Sequence, residues 1–280
     1  MRKLLITVMA VLLPLAMSAQ AQINTKKTKI EDFTEKTIKV VLTGNMFFDQ
    51  SFEDEVQNRW RISPFEFCSM KEFEALKTDD SYYFMLAVKS QFRKESRPGL
   101  TMLSVVKGGA AAEKGIGRML DVVTVPIMST EDPSGREFIF LPAMIDIIQE
   151  HILKAMETDV AGYSGLGSCN ENIASTREKE IIIARDDLGA GITEDMLKEY
   201  EEYGIFVTDT DIADDMMMEH TPDAVISFTV YPSDRKNGSW CYKMLIDART
   251  HTLCYFRRHR ISDRFGPGFL PEDLDRIADR

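Results

Sequence analysis

The stretch DAVISFTVYPSDRKNGSWCYKMLIDARTHTLCYFRRHRI, residues 223–261, decides the fold. Apolar and polar residues alternate along Ala224–Val230 and again along Trp240–Ile246, and this period of two predicts strands with one buried face. Asn237-Gly238 lies between the two runs and favours a hairpin turn, because both residues take positive φ at low cost. A second turn returns the chain as Leu253–Ile261. The stretch therefore predicts a three-stranded antiparallel meander.

The preceding residues predict the same order of elements twice. In the first half, strands are expected at Ile38–Thr43, Ser63–Cys68, Tyr82–Ser90, Leu100–Val106 and Leu120–Met128, with a helix after each of the first two. In the second half, Glu180–Arg185 and Ile205–Asp209 are strands, Thr193–Tyr203 and Asp211–His220 are helices, and the meander follows. The predicted fold class is α/β (α+β), with two similar β-α-β-α-β-β-β modules, each a small mixed sheet covered by helices.

A long amphipathic helix joins the two modules. Within Phe138–Val160, apolar residues recur three and four positions apart, as they do on one face of a helix. The expected organisation is a signal peptide at 1–21, a tether at 22–36, a first module with its long helix at 37–161, a linker at 162–178 and a second module at 179–280. Within the second module, Asp211 is expected to cap its helix.

The first 21 residues have the pattern of a secretory signal peptide. Arg2-Lys3 precede the apolar run Leu4–Met17, and a small-residue site predicts cleavage between Ala21 and Gln22. We therefore expect a periplasmic or secreted protein. No other apolar run reaches the roughly 20 residues that a transmembrane helix needs.

The charge narrows the range of partners. The chain has 34 basic and 45 acidic residues and a formal net charge of −11, and losing Arg2 and Lys3 would lower it by two units. An acidic surface repels phosphate backbones, so nucleic acid is not expected as a partner. Arg257, Arg258 and Arg260 are the exception, and they either deter stray strand pairing or receive an acidic partner.

The meander resembles that of certain bacterial envelope modules. Met244–Thr250 is similar to the strand and "DarTG"-like turn in the N-terminal module of the Tol translocation protein and in the curli-secretion lipoprotein. The resemblance covers roughly Glu180 to Ile261, and it departs where His251 replaces the usual glycine. It implies an α/β module that makes protein contacts in the envelope and has no catalytic residues.

The search for chemistry finds no complete motif. The four histidines are dispersed, and the glycine-rich segments fail the patterns of nucleotide-binding loops, so we expect no catalytic, cofactor-binding or metal-binding residues. Two questions stay open. One is whether acidic residues within Asp209–Asp215 bind calcium, and the other is whether Cys241 and Cys254, on adjacent strands, form a disulfide.

The sequence favours a non-catalytic protein that acts in envelope assembly or protein–protein interaction, with an envelope protein as its partner. The alternative is a small-ligand-binding protein or a hydrolase, with a site assembled from loops near Asp132–Arg136. In that alternative Asp132, Ser134 and Arg136 are the candidate residues, because they lie between a strand and the long helix. The sequence identifies neither the ligand nor the oligomeric state.

Overall fold

The computed structural model describes residues 26–93 and 95–280, and the predicted signal peptide lies outside them. One sheet consists of β1 (Thr37–Leu42), β2 (Phe65–Ser69), β3 (Tyr82–Ser90), β4 (Leu100–Lys107) and β5 (Leu120–Ser129). The other consists of β6 (Glu180–Ala184), β7 (Ile205–Thr208), β8 (Ala224–Val230), β9 (Trp240–Asp247) and β10 (Leu253–Arg260).

The two sheets have the same strand order. It is β2-β1-β3-β4-β5 in the first and β7-β6-β8-β9-β10 in the second, so the first strand of each module lies between its second and third. In both sheets these three strands are parallel, and the last two pairings are antiparallel. The prediction of an α/β protein with two similar β-α-β-α-β-β-β modules is confirmed.

The helices follow the predicted order with small shifts. They are α1 (Met46–Arg59), α2 (Met70–Leu76), α3 (Arg136–Glu157), α4 (Asp159–Ser164), α5 (Glu194–Glu201), α6 (Thr210–Met218) and α7 (Pro271–Ala278). The cap expected at Asp211 is wrong, because α6 begins at Thr210 and places Asp211 in its first turn. At that position the negative side chain still interacts favourably with the positive N-terminal end of the helix dipole. None of these helices, nor any other helix in the described residues, is long and apolar enough to cross a membrane.

The main apolar core lies between the two sheets. Residues from α1, α3 and α6 fill it together with the facing sides of both sheets. Smaller cores cover the outer faces, with α2 on the first sheet and α5 and α7 on the second. The second sheet is therefore buried on both faces, and not on one as its alternation indicates. Ser227 and Lys243, on the polar parity, are both buried.

The segment expected to be a tether is packed where the structure describes it. Ile30 and Phe33 are fully buried, and the ring centroid of Phe33 lies 4.4 Å from that of Tyr83 on β3. Asp32 also accepts a hydrogen bond from the Tyr83 hydroxyl at 2.5 Å. Residues 30–33 therefore belong to the first module.

The segment expected to be a linker lies along the edge of the second sheet. Residues 165–176 form a run of 3-10 helix in which Leu166 and Cys169 are buried. The Asn170 side chain accepts a hydrogen bond from the Phe256 amide at 2.9 Å and donates one to the Phe256 carbonyl at 3.1 Å. Its amide group thus pairs with β10 as a neighbouring strand would.

Candidate functional site

The carboxyl ends of β6 and β8 form a crevice in the second sheet. From β6 the chain passes through α5 to β7 on one side, and then through α6 to β8 on the other. Because α5 packs in an outer core and α6 in the shared core, the two connections leave the sheet on opposite faces. Open α/β sheets bind ligands outside the carboxyl ends of their strands at such a point.

A cleft of about 440 Å³ lies at this position, between the two modules. The first module contributes the end of β5 and the loop before α3, and the second contributes the segments after β6 and β8. Its polar lining residues are Ser129, Asp132, Ser134, Arg136, Asp186, Asp187, Thr229, Tyr231, Ser233 and Arg235. The volume falls within the range of about 300–1,000 Å³ that is typical of small-molecule sites.

Arg136 forms the charged floor of the cleft and connects the modules. It is the first residue of α3 and is 9% exposed. Its Nε donates to the two carboxylate oxygens of Asp214 at 2.8 and 3.1 Å, and its Nη1 donates to Asp187 Oδ1 at 3.0 Å. Its Nη2 donates to the Ser227 carbonyl at 3.1 Å. One guanidinium thereby binds α6, the segment after β6, and β8.

Asp187 is held by several donors besides Arg136. The hydroxyl of Ser227 donates to Asp187 Oδ2 at 2.6 Å, and that of Thr229 donates to Oδ1 at 2.5 Å. The backbone amide of Thr229 also donates to Oδ1, at 3.2 Å. Such saturation fixes the carboxylate in one orientation, so Asp187 is a structural anchor and not a free base.

The environment of the floor shifts two pKa values. Burial raises the pKa of the Asp214 carboxyl, an effect that Arg136 opposes and the nearby Asp187 carboxylate reinforces. Burial alone would lower the pKa of Arg136, but the two carboxylates raise it, so the guanidinium stays charged. Its Cζ also lies 5.3 Å from the ring centroid of Phe140 and 5.5 Å from that of Phe228. Desolvated contacts of this kind stabilise a cation further.

The cleft gathers the three candidate residues of the alternative prediction. Asp132, Ser134 and Arg136 all line it. Ser134 Oγ accepts a hydrogen bond from the Arg136 amide at 3.3 Å, as a residue at a helix start does, and no histidine of the described chain lines the cleft to activate the hydroxyl. The geometry therefore provides a polar pocket without the paired nucleophile and base that hydrolysis by a serine needs.

Several residues of the cleft were not predicted. Asp186 and Asp187 directly follow a predicted strand, and this is the position at which polar residues reach the end of a sheet. Arg235 lies in the segment expected to form only a turn, and Tyr231 directly follows the predicted strand Ala224–Val230. The acidic run within Asp209–Asp215 does not converge, because Asp214 faces Arg136 while Asp209 lies 3.3 Å from Arg185. In the described residues, no group of three or more histidine, cysteine, aspartate or glutamate side chains is placed to hold a metal ion.

His251 lies away from the cleft, in the turn between β9 and β10. It adopts a φ of +58°, which glycine takes at low cost and histidine does not. Its Nδ1 lies 2.7 Å from Asp146 Oδ2 on α3, and Arg59 Nη1 of α1 donates to the same oxygen at 2.9 Å. The side chain thus attaches this turn to the first module, which glycine could not do.

The cysteines are buried and form no disulfide. Cys241 on β9 is paired with His259 on β10. Because His259 is five residues from Cys254, the two cysteines do not lie opposite each other. Burial raises the pKa of both thiols to about 12 and also raises that of Cys169. These groups stay protonated at neutral pH, which removes them as thiolate nucleophiles.

We expect His151, buried on α3, to destabilise the fold in acid. Burial lowers its pKa to about 4, with Lys154 acting in the same direction, whereas the unfolded chain titrates near 6.5. Because only the unfolded state gains a proton between these values, unfolding becomes easier by about 3 kcal/mol as the pH falls from 7 to 4. His151→Met should remove this component in urea unfolding curves, and comparison at pH 8 isolates the packing effect. Parallel pH profiles for both proteins would contradict the expectation.

The cleft thus joins a rigid charged floor to an exposed polar rim. Both modules contribute to it, and its volume suits a small molecule. No protein-family model, no curated protein and no solved structure matches this chain.

Proposed function

We propose that this chain is an exported binding protein that recognises a small polar ligand in the cleft between its modules and does no chemistry on it. The observation that carries the proposal is the hydrogen bonding of the ionisable groups at the floor of the cleft. Arg136 is hydrogen-bonded to Asp214, to Asp187 and to the Ser227 carbonyl, so these side chains shape the pocket. Export is supported by the signal-like sequence before Gln22.

The rim indicates the class of ligand. Asp132 extends from the first module, and Asp186 and Arg235 extend from the second. All three are exposed, and none forms an ion pair with another described residue. A ligand with one positive and one negative group would complement both signs. We therefore propose a zwitterion of the size of an amino acid or a dipeptide.

Calorimetric titration with a zwitterionic dipeptide tests this proposal. The full chain is produced with its own N-terminus, and sequencing of the exported protein shows whether it begins at Gln22. We expect binding that fails for the same dipeptide blocked by an acetyl and an amide group, because blocking removes both charges. Asp186→Asn and Arg235→Gln should each weaken binding tenfold or more, a loss of about 1.4 kcal/mol.

Two neighbouring charges serve as controls. Asp234 and Lys236 are exposed and close in sequence to Arg235, but they do not line the cleft. Asp234→Asn and Lys236→Gln should leave the affinity unchanged. Equal binding of blocked and unblocked dipeptides, or no binding at millimolar concentration, would reject the zwitterion.

A protein partner in the envelope is a second candidate function. It is favoured by the resemblance of the second module to envelope modules and by the unpaired basic end of β10. Recovery of a protein partner by cross-linking in intact cells tests this role independently of the cleft.

A further inference from the structure

Strand β10 forms one edge of the second sheet, and the chain covers only its first part. Asn170 pairs with both backbone groups of Phe256, and Asn172 Nδ2 donates to the Leu253 carbonyl at 3.0 Å. The edge residues after Phe256 receive no such contact from the rest of the described chain. The backbone at the first part of this edge is thus hydrogen-bonded by side-chain amide groups, and the part of β10 after Phe256 is left uncovered.

The backbone of Arg258 and Arg260 points toward the open side. The Ile261 amide and carbonyl face the β9 side, where they bond Ser239 and Gly238 at 2.8 Å. Phe256 faces the other way, toward Asn170. Because hydrogen-bonding direction alternates along a strand, the backbone groups of Arg258 and Arg260 face outward with those of Phe256. A strand that reached this edge would find donors and acceptors at two successive outward positions.

The side chains at this edge are basic and have no acidic partner. None of Arg257, Arg258 and Arg260 forms an ion pair with another described residue, although acidic residues outnumber basic ones in the chain. Two of these side chains make cation–π contacts with the Trp240 ring: Arg258 Cζ lies 4.5 Å and Arg260 Cζ 4.0 Å from the ring centroid. Stacking of this kind orients the guanidinium groups. Arg260 Nη1 also donates to the Gly238 carbonyl at 2.5 Å and Arg258 Nη1 is buried, so a carboxylate would bind the remaining N–H donors of Arg260.

The charge also decides which strand can pair here. A second copy of β10 would place arginines against arginines, and like charges across a strand pair are destabilising. A strand with acidic residues at alternate positions would instead place carboxylates beside Arg258 and Arg260 while its backbone pairs with theirs.

The geometry points to a binding site for an acidic extended segment of another protein, which adds to β10 as a sixth strand along residues 257–260. Main-chain hydrogen bonds would supply affinity, and the arginines would select acidic sequences. This inference rests on the proposed role in protein contacts and is independent of ligand binding in the cleft.

Fluorescence anisotropy with a labelled peptide of alternating glutamate and valine tests the site. We expect binding that weakens as salt is added, and no binding of the corresponding lysine–valine peptide. The same acidic peptide methylated on alternate backbone nitrogens should lose at least tenfold in affinity, because it cannot complete the strand pairing. Equal binding of the methylated peptide would reduce the site to simple charge attraction and overturn strand addition.

Charge reversals locate the site. Arg260→Glu should weaken peptide binding tenfold or more, and Arg257→Glu, on the opposite face of β10, should weaken it less. Arg118→Glu makes the same charge change at an exposed position on the first module and should have no effect. Equal losses in all three variants, or no peptide binding at low salt, would refute the inference. If cells still yield a cross-linked partner after that failure, the envelope role survives and only the β10 site is rejected.

Discussion

Replacement of Arg136 by alanine is expected to lower the free energy of unfolding by about 3–5 kcal/mol. The change leaves the carboxylates of Asp187 and Asp214 buried without a counter-charge and the Ser227 carbonyl without its donor. A typical domain is stable by only about 5–15 kcal/mol, so the variant should lie near its unfolding threshold. Arg136→Lys should give an intermediate loss, since an ammonium cannot span both carboxylates and the carbonyl. Urea denaturation at pH 7 measures each loss.

An exposed arginine–aspartate pair provides the matched control. Arg185 lies 3.3 Å from Asp209, with the two side chains 56% and 74% exposed. Arg185→Ala should change the unfolding free energy by less than about 0.5 kcal/mol, because solvent screens such pairs. If Arg136→Ala behaves like this control, the carboxylates are not effectively buried, and the rigid floor on which the binding proposal depends is absent.

The architecture could be predicted because it depends on local patterns. The alternation of apolar and polar residues along Ala224–Val230 predicts a strand. The structure has β8 at these residues, paired with β9. Ser69 and Glu72, three residues apart in the sequence, form a capping box at the start of α2, with the Ser69 amide donating to Glu72 at 2.8 Å. Each of these features involves residues within a few positions of one another. The repeated order of strands and helices then predicts the same topology for both modules.

The site was predicted only in part because its partners are distant in sequence. Arg136 was identified from its loop, but Asp187 is 51 residues away and Asp214 is 78 residues away. No spacing rule connects such positions. In the sequence, Asp214 belongs to the acidic run for which calcium binding is an open question, because its acidic neighbours are visible there and its basic partner is not.

Burial of the second sheet on both faces was missed for the same reason. Lys243 falls on the polar parity of β9, and a lysine there predicts a solvent-exposed face. Helix α7, about 30 residues later, covers that face and supplies Asp273 as the counter-charge. A lysine and an aspartate on separate elements give no signal in one sequence that they meet in the interior.

The Lys243–Asp273 pair is held inside the second module by a small polar network. The side chains are 2% and 3% exposed, and Lys243 Nζ donates to Asp273 Oδ2. The Tyr255 hydroxyl donates to Asp273 Oδ1 at 2.6 Å, and the Leu270 amide, at the start of α7, donates to Oδ2 at 2.8 Å. Burial, together with the Asp273 charge, raises the pKa of Tyr255 and keeps its hydroxyl protonated as a donor. One carboxylate therefore attaches α7 to two strands.

Asp273→Ala is expected to destabilise the protein by about 3–5 kcal/mol, because it leaves the Lys243 ammonium buried without a counter-charge. Lys243→Met should cost less, since Asp273 keeps two hydrogen-bond donors. The double variant should lose less than the sum of the single losses, by a coupling of about 1–3 kcal/mol, because no uncompensated charge remains. Denaturant unfolding of the four proteins in the cycle measures this coupling. An additive cycle would mean that water reaches the pair and that α7 is held on the sheet by apolar packing alone.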